Sequence, residues 1–188
     1  MRMRDTHEKF TWPTIGLHWV IAIAIIAMLA FGLYLEDMPR GPEKGELIGL
    51  HKSVGMLILI LALVRVAWRI LNKFPKSISP LVNWQEKLAK LTHWVLIIGT
   101  VLMPVSGVFM AIGGGHAVAI FGLEIIAGSP EKIEVLSQIG HTAHGLGGKL
   151  LILFVLLHFV AAIKHQFIDK DGTLSRMLGI KVSVKENS

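Results

Sequence analysis

The chain has 188 residues, of which 53% are hydrophobic and only 17% charged, with a formal net charge of +6 and nine histidines. An ordinary soluble domain carries about 25% charged residues, so this composition excludes both a freely soluble globule and a disordered chain. The absence of cysteine excludes disulfides, thiolate-held metals, iron–sulfur clusters and thioether-linked haem.

A membrane-crossing helix needs about 20 mostly apolar residues. The first candidate, at about 14–35, lies in a stretch from Thr11 to Leu35 with no Asp, Glu, Lys or Arg. It is too long for a secretory signal, and no small-residue cleavage site follows it. The second, at about 49–71, is broken by Arg65 and Arg69. The third, at about 89–112, opens an uncharged run from Leu91 to Leu123. The fourth, at about 140–166, holds Lys149 and Lys164. Residues 113–139, with Gly113-Gly114-Gly115 and Gly128-Ser129-Pro130, are expected to form a flexible external loop. Residues 167–188 are expected to be a cytoplasmic tail. The whole chain, 1–188, then reads as one transmembrane domain: an all-α, integral-membrane four-helix bundle.

The connections set its orientation, because Lys and Arg accumulate on the cytoplasmic side. The N-terminal tail, the second connection with its flanks, and the C-terminal region carry thirteen such residues. The other two connections and their flanks carry five: Arg40, Lys44, Lys52, Lys132 and Lys149. Both termini are therefore expected in the cytoplasm. The same asymmetry accounts for the basic charge as a topology signal and removes nucleic acid as a partner.

An ionisable side chain in hydrocarbon is costly, so a histidine there is a functional candidate. The structural alternative for any one of them is a hydrogen bond to a neighbouring helix. Spacing separates the two. His144 and His158 are fourteen residues apart, close to four turns, which puts both imidazoles on one stripe about 21 Å apart along the axis. His18 matches His158 in depth, and His51 matches His144. Zinc usually takes three or four protein ligands, whereas a haem supplies four equatorial nitrogens and needs two axial ligands. Two opposed imidazole pairs therefore point to two b-type haems bound without covalent attachment in the bundle core.

Other residues fall at the same two levels. Gly32, fourteen after His18, belongs at the depth of the external pair and leaves room for a flat macrocycle. Gly145, Gly147 and Gly148 follow His144, with close helix packing as the alternative reading. Arg65, fourteen after His51, belongs at the depth of the cytoplasmic pair, where it is a candidate partner for a haem propionate. Arg69 shares that stripe, and snorkelling to the interface is the alternative for both. Lys52 and Lys149, near the external level, suit a propionate or an anionic donor, with snorkelling again the alternative. His93 competes with His18 as partner of His158, and His141 competes with His144. His93 and His165, at the cytoplasmic level, are quinone candidates, or simply bond headgroups and water. His7 and His116 fall in a tail and a loop.

These residues resemble the bacterial cytochrome b561 family. The resemblance rests on His18 in I-G-L-H-W, His51 in H-K-S-V-G, R-V-A-W-R at the end of the second helix, H-x13-H on the fourth, and the ending K-H-Q-F-I-D-K-D-G-T-L-S-R-M. It covers roughly residues 10–180. The H-x13-H spacing is shared with the cytochrome b subunits of formate dehydrogenases and nickel–iron hydrogenases. The resemblance implies the ligand pairs His18–His158 and His51–His144. It also implies a multi-pass protein of the bacterial inner membrane that moves electrons between a periplasmic-side donor and a membrane quinone such as ubiquinone. One branch of the family oxidises superoxide; others are thought to serve periplasmic protein partners. The expected function is thus a transmembrane dihaem cytochrome, an oxidoreductase if it belongs to the superoxide branch. The alternatives are a membrane-anchor cytochrome subunit and a histidine-lined proton or metal transporter.

Overall fold

The computed structural model describes residues 4–72, 78 and 82–182. Lys73 and Lys76 of the second connection, with Arg2 and Lys185 of the termini, lie outside the described residues. The chain forms α1 (Trp12–Asp37), α2 (Pro42–Asn72), α3 (Asn83–Gly113), the strands β1 (Val118–Ile120) and β2 (Leu123–Ile126), and α4 (Glu134–Lys164). A π turn (His165–Asp169) and the short α5 (Thr173–Met177) follow. The four long helices run up and down, with α3 and α4 packed most closely. All four are long and apolar enough to cross a membrane.

The helices form because their central residues are almost all apolar and a helix pairs its backbone polar groups within the segment, as hydrocarbon demands; Pro104 inside α3 is an exception, having no N–H to offer the Thr100 carbonyl. Pro13 at the start of α1 costs no hydrogen bond, because the first turn's N–H groups are free in any case. Few side chains are buried inside the bundle. Ile21, Ile25 and Ile58 form a small core between α1 and α2, while Ile23, Leu63, Leu102 and Leu153 are exposed on the outside. In water this distribution would be unstable; in lipid it is the expected one, since tails solvate those faces.

The helices extend beyond the apolar runs. The first span, expected at 14–35, is Trp12–Asp37; α2 begins at Pro42 rather than about 49, α3 at Asn83 rather than about 89, and α4 at Glu134 rather than about 140. The added turns are polar, with Glu43, Lys44 and Glu46 in α2 and the Glu86–Lys90 pair, 2.7 Å apart, in α3. Hydropathy marks the stretch that crosses hydrocarbon, whereas helical hydrogen bonding continues into water.

The 113–139 segment is not a simple flexible loop. It carries the antiparallel pair β1–β2, closed by a turn at Phe121 and Gly122, which both have positive φ (47° and 88°). Lys52 Nζ donates to the carbonyl of Ala117 at 3.0 Å, and Ser53 Oγ accepts from the Phe121 N–H at 3.0 Å, which tie the hairpin to α2. Gly113 and Gly140 bring α3 against α4 so closely that a Cβ on either would collide with backbone of the facing helix. This is the hairpin end of the bundle.

At the other end, the tail end, the termini clasp each other. Val182 N–H donates to the Glu8 carbonyl at 3.1 Å, and Arg176 donates to the His7 carbonyl at 2.9 Å while its guanidinium lies 4.2 Å from the centre of the Phe10 ring. Trp19 Nε1 donates to the Met177 carbonyl at 2.9 Å. Part of the segment expected as a cytoplasmic tail thus packs against the start of the chain.

Candidate haem sites

At the hairpin end, α2 contributes His51 and α4 contributes His144, with ring centres 6.2 Å apart and planes at 70°. Residues of α3 hold His144 from behind. Its Nδ1 lies 3.1 Å from the Met103 carbonyl and 3.0 Å from Ser106 Oγ, and Ser106 itself donates to Met103 O at 2.7 Å. The Met103 carbonyl can only accept, so the His144 proton sits on Nδ1 and Nε2 carries a free lone pair. A carbonyl that accepts from the far nitrogen of the ring in this way sets the tautomer that a metal ligand needs. His51 Nδ1 is buried with no hydrogen-bond partner, an orphaned ring nitrogen of the sort that normally finds one. Gly32 and Gly107 face the two rings: a Cβ on either would stand 3.6 Å from the nearest imidazole carbon.

At the tail end, α1 contributes His18 and α4 contributes His158, again with ring centres 6.2 Å apart, here at 65°. His93 of α3 reaches the same place, 5.6 Å from His158. Trp19 stands edge-on to His18 at 5.4 Å. Arg65 Nη2 lies 3.1 Å from His18 Nδ1. A guanidinium has no lone pair to offer, so this contact makes Nδ1 an acceptor and puts the proton on Nε2. Ligation through Nε2 requires the opposite tautomer, so Arg65 must give up this contact for His18 to bind a metal there. Arg69 is committed elsewhere. It pairs with Asp5 at 3.1 Å, with side-chain exposures of 12% and 5%. Asp5 also accepts from the Thr11 backbone and hydroxyl and from Thr14. Burial by itself pushes the Asp5 carboxyl up, but the bonds from Thr11 and Thr14 and the charge of Arg69 outweigh it and hold the group below the ordinary carboxylate value.

The donor sets fit haem. An imidazole nitrogen binds a first-row metal at about 2.0–2.1 Å and the ring centre lies about 1.1 Å behind it, so two rings on opposite sides of one metal have centres about 6.2–6.4 Å apart. Two pairs at two depths share that spacing.

The remaining sequence candidates divide. Gly32 lies beside His51 and Arg65 beside His18, at the depths expected of them. Gly147 and Gly148 abut the Met103 side chain, which is close helix packing, while Gly145 faces open space. Lys52 is held by the hairpin carbonyl and Lys149 is exposed on α4. His141 is exposed and bonds back to the carbonyl of Ser137 in its own helix, 2.8 Å away. His165 is held by Asp171 at 2.8 Å and Asp169 at 3.1 Å, and among the described residues makes no ring contact with His93 or His158. Sequence reasoning passed over Met103, Ser106 and Gly107. The available signal was a small polar residue beside a glycine in the middle of an uncharged run, a pattern of helix–helix contact in membranes.

The sequence profile described as prokaryotic cytochrome b561 matches residues 9–179, over nine-tenths of the chain. The chain belongs to the prokaryotic cytochrome b561 family. Members are membrane-embedded b-type cytochromes, so the protein is a multi-pass, haem-binding electron-transport protein. It is similar to Cytochrome b561 homolog 2 of Escherichia coli (strain K12), 26% identical over 95% of this chain and 96% of that one. It is 31% identical to Cytochrome b562 of Cereibacter sphaeroides over 90% of this chain and 94% of the other. It is 25% identical to the Probable superoxide oxidase CybB of Yersinia pestis, over 92% and 97% respectively.

Proposed function

We propose that this cytochrome b561 protein carries electrons across the bacterial inner membrane, from a donor on the hairpin side to quinone at the tail end. Two non-covalent b haems would serve it, one held by His51 and His144 and the other by His18 and His158. The observation that carries this reading is the shared 6.2 Å spacing of two imidazole pairs at two depths. The excess of Lys and Arg around the tail end supports a cytoplasmic location for both termini and a periplasmic one for the hairpin.

When bound, haem supplies a one-electron iron couple at each level. The chain does the rest. Met103 and Ser106 fix His144 in the ligating tautomer. Arg65, freed from His18, would be placed to hold a propionate, which its planar guanidinium can bond at two points. With two histidines holding each haem, donor and acceptor would have to be bound by other residues of the chain. On the hairpin side Lys52 and Lys149 attract an anionic donor such as superoxide, or pair with propionates. At the tail end His93, whose ring N–H is a hydrogen-bond donor, donates to a quinone carbonyl. His165 is the second candidate at that level, and ubiquinone is the acceptor suggested by the family.

A pyridine haemochromogen assay on the purified protein tests the first part: two b haems per chain, fully extracted by acid acetone, are expected, and one or none overturns the reading. Reoxidation of the reduced protein by a soluble quinone analogue tests the second. His93→Ala and His165→Ala should slow it with the haem spectrum intact, and unchanged rates in both move the quinone site elsewhere. Co-purification of a large soluble subunit would instead make the chain a membrane-anchor cytochrome.

A further inference from the structure

The hairpin after α3 carries a surface that the electron-transfer reading does not use. Residues 117–130 hold a single charged side chain, Glu124. All four residues of β2 are exposed, among them Leu123 at 68% and Ile125 at 50%, and Phe121 at the turn is 63% exposed. β1 faces inward instead, with Val118 fully buried against the bundle. Phe121 also holds a φ of 47°, a left-handed conformation that a bulky residue rarely adopts and that Asn or Gly fills in most such turns. A strained, exposed aromatic is retained at the tip, next to a strand of exposed aliphatics.

Depth identifies what covers it. Gly32 of α1 lies opposite His51, and the first carboxylate of α1, Glu36, comes four residues further out, about 6 Å along the axis. Ser53, which accepts from the Phe121 N–H, lies two residues further in than His51, about 3 Å. The turn is thus about 9 Å inward of the α1 carboxylates, where headgroups give way to acyl chains. Phe121 and Leu50 line the same shallow hollow with Ser53, Ala119 and Lys52, whose ammonium is tied to the Ala117 carbonyl, and Leu50 begins the row of exposed side chains that continues along α2 at Leu57. The apolar face of the hairpin is therefore continuous with the lipid-facing belt of the helices. The unpaired edge of β2 could not be accommodated in the hydrocarbon centre, but at the boundary water and headgroups satisfy it.

We propose that the β1–β2 hairpin is a membrane-interface element that lays Phe121, Leu123 and Ile125 into the lipid at the headgroup–acyl boundary, beside the level of His51 and His144. Its occupant is the bilayer, not a second copy of the chain or a protein partner. Lipid there excludes water from the outer flank of the hairpin-end histidines and holds Lys52, through Ala117, at the membrane surface.

The natural absence of cysteine makes the test clean. Phe121→Cys, Leu123→Cys and Ile125→Cys, each carrying a nitroxide, are reconstituted as haem-loaded protein in vesicles of phosphatidylethanolamine and phosphatidylglycerol. Power saturation then compares collision with oxygen, which concentrates in lipid, and with a water-soluble nickel chelate. Leu153→Cys on the outside of α4 is the lipid reference and Glu131→Cys the water reference. The oxygen-to-nickel ratio at positions 121, 123 and 125 should be several-fold above that at 131 and approach that at 153. A nickel-dominated signal places the hairpin in water and overturns the proposal. Low collision with both reagents means that protein covers the face, and overturns it equally. The Soret absorbance of each variant reports whether the bundle has folded. Because the readout is lipid contact rather than electron transfer, a failure here leaves the haem reading untouched.

Discussion

The two histidine pairs have the same spacing and opposite surroundings. At the hairpin end everything within hydrogen-bond reach of the rings is neutral: a backbone carbonyl and a serine hydroxyl behind His144, with glycines alongside. At the tail end three imidazoles gather, a guanidinium touches His18, and a buried Arg–Asp pair lies one turn further along α2. A carbonyl that accepts from the ligand's Nδ1–H makes the ring a stronger donor and favours the oxidised iron; a nearby cation favours the reduced one. One spacing therefore serves two different electronic environments. With haem at both levels, this contrast would make the tail-end centre the better electron acceptor, as the proposed flow from the hairpin side toward the tail requires.

The largest expected effect removes one centre and leaves the other. His51→Ala or His144→Ala should halve the haem content and abolish the lower-potential component, while His18→Ala or His158→Ala should abolish the higher. His93→Ala should retain both. Haem per chain with a redox titration distinguishes these outcomes, and loss of the tail-end component in His93→Ala with its retention in His18→Ala would exchange the two as partners of His158.

The second concerns the buried Asp5–Arg69 pair, which belongs to the tail end alone. Asp5→Ala removes the acceptor of bonds from Thr11 and Thr14 and the partner of buried Arg69, at a cost of about 2–4 kcal/mol. The expected readout is a lower midpoint for thermal loss of the Soret band. Because the Asp5 carboxyl is held below its ordinary value in the folded protein, its contribution is present above the unfolded value, about pH 3.9, and disappears as pH falls through the lower folded value. The difference between wild type and Asp5→Ala should therefore be full at pH 6 and shrink below pH 4.

Arg65→Leu sharpens the electrostatic contrast. Loss of a cation beside the tail-end pair should lower that potential by on the order of 50–100 mV and leave the hairpin-end value unchanged. An equal shift in both would mean that the guanidinium acts through the overall field. Ser106→Ala is the smallest change. His144 retains the Met103 carbonyl, so the hairpin-end potential should rise by on the order of 20–40 mV, measured in the same titration.

The number of spans was legible in the sequence, as was the meeting of His51 with His144 and of His18 with His158, because a helix of known rise converts spacing into height and hydrocarbon tolerates few polar side chains. That reasoning placed Gly32 beside His51 and Arg65 beside His18 from a count of fourteen. It could not see sideways. Which atom of Arg65 meets which nitrogen of His18, that Met103 and Ser106 stand behind His144, and that Arg69 is held by Asp5 from 64 residues away depend on how the helices are rotated and crossed. That rotation is set by contacts such as Gly113 and Gly140, where absent side chains let backbones meet. The hairpin was illegible for a related reason: its glycines signalled a break in the helix, but the strand pairing, and the seat of Phe121 on Ser53, exist only once α2 is beside it. Local chemistry determined which residues lie at each height, and only the packed bundle decided what each of them touches.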